Sequence, residues 1–219
     1  MVDYTQQGTV AVLSLDDGKA NAISHNVING LQAGLDRCEA EAKAVVLTGR
    51  PGMFSGGFDL KEIQKGPDAA LALVGQGAHL LSRLFSFPQP VVAACTGHAI
   101  AAGAFILLAS DTRFGVHGDF RIGLNETAIG MTLPVFGVEL SKARLSKRHL
   151  NAAFIQSELY DPNSARDAGF LDHVVAADAV LETAVAAAER LAALPGAAYA
   201  GNKRLIRAPH IAAIRDSLT

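Results

Sequence analysis

The chain has 219 residues, half of them hydrophobic, with no tryptophan, two cysteines and a formal net charge of −2. That length suits one domain with a sizeable core, and a weak charge without one-sign runs argues against general nucleic-acid binding. Cys38 and Cys95 lack any CxxC or Cys/His ligand spacing, which argues against a disulfide framework and a structural zinc site.

At the N-terminus, MVDYTQQGTV has no basic n-region and no apolar h-region, so a cytoplasmic location is expected. Residues Thr9 to Leu15 alternate as a strand after a turn at Gly8, and Asp16 to Lys19 supply a second turn. Val27, Ile28, Leu31 and Leu35 recur at helical spacing between Ser24 and Ala40, with Ser24 placed to cap. Ala44 to Thr48 is a short, fully apolar strand, followed by the glycine-rich loop GRPGMFSGGFDL. A helix is predicted from Asp68 to Phe85, a buried strand from Val91 to Cys95, a helix from Ala101 to Ala109 and a strand from Thr112 to Val116.

From Ala152 onward the pattern becomes mostly helical: a short helix from Asn163 to Ala168, strand-like Leu171 to Val175, then an alanine-rich helix from Asp178 to Leu194. Pro195-Gly196 stops it, and a basic helix begins near Ala198. Alternating strands and helices predict an α/β fold with a largely buried sheet, a core over residues 1–151 and a mostly helical region over 152–219. No internal repeat is visible. The stretch PVVAACTGHAIAAGAFILLAS, from Pro90 to Ser110, is nearly long enough to span a bilayer. Thr96, Gly97 and His98 divide it into a β-rich and an alanine-rich half, so it reads as core and no membrane association is expected.

Several chemistries lack their motifs. Ser55 sits in Met53-Phe54-Ser55-Gly56-Gly57, which is not GxSxG; no GxxxxGK[ST] occurs; and His79, His117 and His149 have no metal-ligand spacing. What remains is a pair of similar loops, Phe54 to Asp59 and Gly97 to Gly103, each following a short buried strand and opening into a helix. Small residues let backbone approach a ligand, and helix starts leave N–H groups unpaired. Two such groups converging on one oxygen form an oxyanion hole, worth roughly 3–4 kcal/mol per donor in other enzymes; otherwise these are ordinary glycine turns. Glu126 is a lone acid among Ile122, Leu124, Ile129, Met131, Leu133 and Pro134. It reads either as a first-turn acid beside an Asn125 cap or as a base whose pKa burial raises.

FSGGFDL, QPVVAACTGHAIAAGAFILLASD and IGLNETAIGMTLP, in this order, resemble the crotonase superfamily, the enoyl-CoA hydratase/isomerase family. The similarity extends from Asn21-Ala22-Ile23 through Ser164 to Asp172. The resemblance implies a crotonase-like fold of repeated ββα units and a C-terminal helical region, here shorter than usual for the family. It further implies acyl-CoA thioester ligands, assembly as a homotrimer or dimer of trimers, and no cofactor beyond the coenzyme A of the substrate. By motif, the oxyanion donors fall on the backbone N–H of Phe58 and Ala102, with Gly57 and Gly103 beside them. Family hydratases use two glutamates; the first position is occupied by Phe105 and the second matches Glu126. This pattern is similar to the Δ3,Δ2-enoyl-CoA isomerases, where one carboxylate shuttles a proton between C2 and C4.

Phe105 and Pro134 are expected near the acyl group, with Phe85, Phe87, Leu133 and Phe136 as further candidates for the pocket wall. Lys61 and Lys203 are candidates for a CoA phosphate. The alternatives are a hydratase or another lyase or hydrolase of the superfamily, with His98 supplying the second group, and a non-catalytic acyl-CoA-binding protein. No metal site is expected.

Overall fold

The structure is a computed structural model describing residues 1–218. Its large sheet begins with β1 (Val2–Gln7) and β2 (Val10–Leu15), an antiparallel hairpin turning at Gly8, where φ is +58°. β1 has no counterpart in the sequence reading, because its side chains are mostly polar and exposed and give no apolar alternation. After the hairpin comes α1 (His25–Glu41), started by Ser24, whose Oγ accepts from the Val27 amide at 3.3 Å.

The remaining strands of this sheet run parallel to β2: β3 (Ala44–Thr48), β5 (Val91–Cys95), β7 (Thr112–Val116) and β10 (His173–Val175). The spatial order is β1-β2-β3-β5-β7-β10. Near-continuous apolar runs in β3 and β5 fit strands covered on both faces. A second sheet holds β4 (Gly52–Ser55), β6 (Gly97–Ile100), β8 (Ile122–Gly123) and β9 (Leu159–Tyr160), in that order. From sequence, β4 and β6 fall in segments that read as loops, and β8 and β9 are not read as strands. At two to four residues, three of them containing glycine, they are too short for alternation to show, and only pairing defines them.

Helices fill the connections: α2 (Leu60–Ile63), α3 (Pro67–Ser86), α4 (Ala102–Ala109), α5 (Val135–Arg144), α6 (Leu150–Phe154), α7 (Pro162–Ala168), α8 (Val180–Ala192) and α9 (Gly196–Asp216). The pairs β1–β2, β3–β4, β5–β6 and β7–β8 are each followed by helix, so ββα units recur in space although no sequence repeat announces them. In the last three pairs the first strand joins the large sheet and the second the small one.

The large sheet separates two apolar layers. Leu13, Val45, Leu47, Val91, Ala93 and Cys95 face α1, α3, α4 and the small sheet; Val12, Val46, Val92, Ala94 and Phe114 face α8. Ala184, Ala187 and Ala188 let α8 lie close on that second face. The bilayer-length stretch from Pro90 to Ser110 resolves into β5, β6 and α4, and among the described residues no helix is long and apolar enough to cross a membrane.

Candidate active site

Both glycine-rich loops leave the C-terminal ends of parallel strands. After β4 the chain turns through Gly56 and Gly57, the latter at φ +98°. Hydrogen bonds hold the turn on every side. The Gly56 amide donates to Ala20 O at 2.8 Å, Gly57 N to Ser55 Oγ at 3.2 Å, and Asp59 N to Ile23 O at 3.2 Å, while Gly57 O accepts from Ile23 N at 2.8 Å. Only the amide of Phe58, in the middle of this set, donates to nothing among the described residues.

The second loop follows β6. Ala101 takes φ +52° and ψ −119°, a left-handed-side conformation that costs a residue with a Cβ about 1–2 kcal/mol. Its amide donates to Gly123 O at 3.0 Å and its carbonyl accepts from Phe105 N at 3.0 Å. Ala102 is the first residue of α4, where an amide has no acceptor within the helix, and among the described residues it donates to nothing. A β-carbon on Gly57 would come within 2.9 Å of the Ala101 methyl and 3.5 Å of the Ala102 nitrogen, so the loops touch and position 57 needs glycine. Gly103 is equally constrained, since a β-carbon there would lie 2.4 Å from Ser55 O. Phe58 and Ala102 also share an apolar crevice with Ile23, Leu80 and Ile106.

Glu126 reaches this region through β8. Ile100 pairs with Gly123, and the bond from Ala101 N to Gly123 O ties the second loop to the strand end three residues before the acid. Glu126 is 8% exposed, and among the described residues its Oε2 has no hydrogen-bond partner. Burial pushes its carboxyl up to about 7, against a smaller downward pull from the amides of Glu126 and Asn125. The capping alternative fails. The following turn, Thr127–Ile129, is a 3-10 turn without a side-chain cap, and Asn125 Oδ1 is itself unpartnered. Nor is the whole run buried: Ile129 is 53% exposed and Met131 36%, while Ile122 and Leu124 are core.

Phe105 is buried on α4, edge-on to Phe136 at 5.4 Å and against Gly137. Pro134 precedes α5 at half burial, and Lys61 is exposed just after Asp59, which caps α2. Two expectations need correction. Lys203 is buried, donating to Phe87 O at 2.8 Å, Gln89 O at 2.9 Å and Asp111 Oδ2 at 2.5 Å, which occupies all three of its protons and leaves none for a phosphate. Phe85 and Phe87 back onto α9 beneath Arg207 and Lys203 rather than lining a pocket with Phe105. His98 accepts at Nδ1 from Arg121 N at 3.0 Å and sets its ring edge-on to Phe120.

Two supporting residues escaped the sequence reading. Asn21, at φ +49°, donates from Nδ2 to Leu15 O at 2.9 Å and Met53 O at 3.1 Å, and Ser55 Oγ donates to Asn21 O at 2.8 Å while accepting from Gly57 N. Asparagine's tolerance of positive φ after the Asp16 to Lys19 turn was the available signal. Among the described residues no group of three His, Cys, Asp or Glu side chains is placed to hold a metal.

A sequence profile described as Enoyl-CoA hydratase/isomerase matches residues 5–213. A probable enoyl-CoA hydratase of Bacillus subtilis is 34% identical over 126 residues, 56% of this chain and 48% of that protein. Human mitochondrial enoyl-CoA delta isomerase 1 is 29% identical over 203 residues, 90% of this chain and 67% of that protein. A crystal structure of an enoyl-CoA hydratase/isomerase family protein from Pseudomonas syringae superposes with a TM-score of 0.97 at 42% identity, covering 99% of this chain and 94% of that one. Hydratase and isomerase names both occur among the relatives.

Proposed function

The chain belongs to the enoyl-CoA hydratase/isomerase family, and from that premise we propose that it is a Δ3,Δ2-enoyl-CoA isomerase working with Glu126 alone. The observation that carries this reading is the pairing of one buried, high-pKa carboxylate with a buried Phe105 where hydration would need a second acid.

The thioester carbonyl of a 3-enoyl-CoA sits between the free amides of Phe58 and Ala102. Ionised Glu126 takes a proton from C2, and the electron pair moves toward the thioester oxygen as the dienolate forms. The two N–H groups hold that developing charge, the role in which fixed donors contribute most. The same carboxyl then returns the proton to C4, leaving the double bond between C2 and C3. One group suffices because the proton removed is the proton restored. Hydration needs water activated on one side and a proton delivered on the other, which a lone carboxylate does poorly.

Isomerisation of 3-hexenoyl-CoA should far outpace hydration of crotonyl-CoA, and Glu126→Gln should lower it by roughly 10²–10⁴-fold while leaving the fold intact. A fully active variant sinks the assignment, and faster hydration than isomerisation favours the hydratase. Thioester binding without turnover in either assay returns the chain to a non-catalytic binder. The family resemblance also supports assembly as a homotrimer or dimer of trimers, which light scattering tests.

A further inference from the structure

A second polar centre lies at the N-terminal ends of β5 and β7 in the large sheet. Thr112 pairs with Val92 and Gly115 with Cys95, so Asp111, just before β7, stands at the N-terminal end of β5, whose other end leads into β6 and from there to the second loop. Asp111 is a hub. Its Oδ2 accepts from Val91 N at 2.8 Å, Tyr199 Oη at 2.9 Å and Lys203 Nζ at 2.5 Å; Arg207 Nη2 stands 2.9 Å from Oδ1, and Arg144 Nη2 donates to its carbonyl at 3.0 Å. Nearby, Arg113 pairs with Asp172 through Nε at 2.8 Å and Nη2 at 2.6 Å.

These pairings do not neutralise the cluster. Among the described residues, Arg113, Arg144, Lys203 and Arg207 face only the carboxylates of Asp111 and Asp172, which leaves an excess of two positive charges. Arg207 and Lys203 spend further donors on the carbonyls of Phe85, Phe87 and Gln89, whereas the buried Nε of Arg144 has no partner among those residues. Burial, with Arg113 and Arg207 close by, pushes the Arg144 guanidinium down to about 10, the direction expected of a cation short of a counter-ion. The cluster opens onto a cavity of about 530 Å³. Arg144, Tyr199 and Asn202 line it together with Leu194 and Ile206.

We propose that this cavity binds a small anion, a carboxylate or phosphate group held by Arg144 and Asn202 and charge-balanced by the excess of two cations. A guanidinium fork matches the paired oxygens of either group, and a desolvated, under-compensated cation gains most from such a partner. The site is separate from the thioester chemistry and stands whether or not the isomerase reading does.

Thermal unfolding in added phosphate, in added acetate and in chloride at equal ionic strength tests it, with Arg144→Met and Asn202→Asp beside the wild type. Phosphate or acetate should raise the wild-type midpoint by about 3 °C or more beyond chloride, the larger response identifying the preferred group. Arg144→Met should lose that response and keep its turnover of 3-hexenoyl-CoA. Asn202→Asp supplies a carboxylate from the chain itself, so it should melt higher in chloride alone and respond less to added anion. Equal midpoints in all three salts, an undiminished response in Arg144→Met, or a lower midpoint for Asn202→Asp overturns the proposal; the last arm decides if Arg144→Met does not fold.

Discussion

Glu126 carries opposing demands on its proton. Its carboxyl is raised from 4.5 to about 7, so the folded state binds the proton more tightly than the unfolded chain. The stability this contributes is complete below pH 4.5 and is lost as pH climbs through about 7. At about 1.4 kcal/mol per pH unit, the loss reaches about 3 kcal/mol. Glu126→Gln, which mimics the protonated acid, should match the wild type near pH 4 and exceed its unfolding free energy by up to about 3 kcal/mol at pH 9; urea titrations at the two pH values measure this. Catalysis needs the opposite form, so kcat/KM for isomerisation should rise with pH through about 7. A raised pKa is one of the two readings the run IGLNETAIGMTLP allows. The run alone does not decide burial, because apolar residues in it divide: Ile122 and Leu124 are core while Ile129 and Met131 stand in solvent.

Among the elements, the helix α4 depends on how closely it sits on β4. Gly103→Ala would drive a methyl to 2.4 Å from Ser55 O, a backbone atom that cannot step aside. The variant should lose about 1–3 kcal/mol in urea denaturation and lose more in kcat than in affinity for the 2-enoyl-CoA product, because Ala102 moves with the helix. The strong elements were readable from apolar period and caps: α1 from Ser24 and its i, i+3, i+4 pattern, β3 and β5 from unbroken apolar runs. β4, β6 and β8 were not, since strands so short take their identity from partners far along the chain. α9 shows another blind spot. Lys203 reads as a candidate for a CoA phosphate on a basic helix, yet it and Arg207 are buried, held by Asp111 and by the carbonyls of Phe85, Phe87 and Gln89.

For the molecule as a whole, the large sheet closes at β10, and the ion pair of Arg113 with Asp172 joins that edge strand to β7. The Arg113 side chain is 4% exposed and that of Asp172 34%, so half of the pair is desolvated. Removing the carboxylate in Asp172→Asn strands a buried guanidinium and should cost about 2 kcal/mol after allowance for the exposed partner. Burial pushes the Asp172 carboxyl up, but hydrogen bonds and charge from Arg113 outweigh it and hold it below 3.8. A depressed pKa contributes stability above pH 3.8 that fades as pH falls through the lowered value, so the wild type, not the variant, should show this acid-induced loss in circular dichroism melts. The recurring ββα units escaped a search for sequence repeats because what recurs is a rhythm of strand, short strand and helix, carried by different residues each time.

The two loops carrying the Phe58 and Ala102 amides are spaced by carbon atoms. A β-carbon on Gly57 would come within 2.9 Å of the Ala101 methyl, so the loops approach only because position 57 has none, and Ala101 holds a backbone conformation that glycine would adopt more easily. Such a spacer has no proton to gain and no ion to exchange. On the isomerase reading, the pair of amides should therefore keep its dimensions across pH and salt, and the pH response of turnover then traces to Glu126.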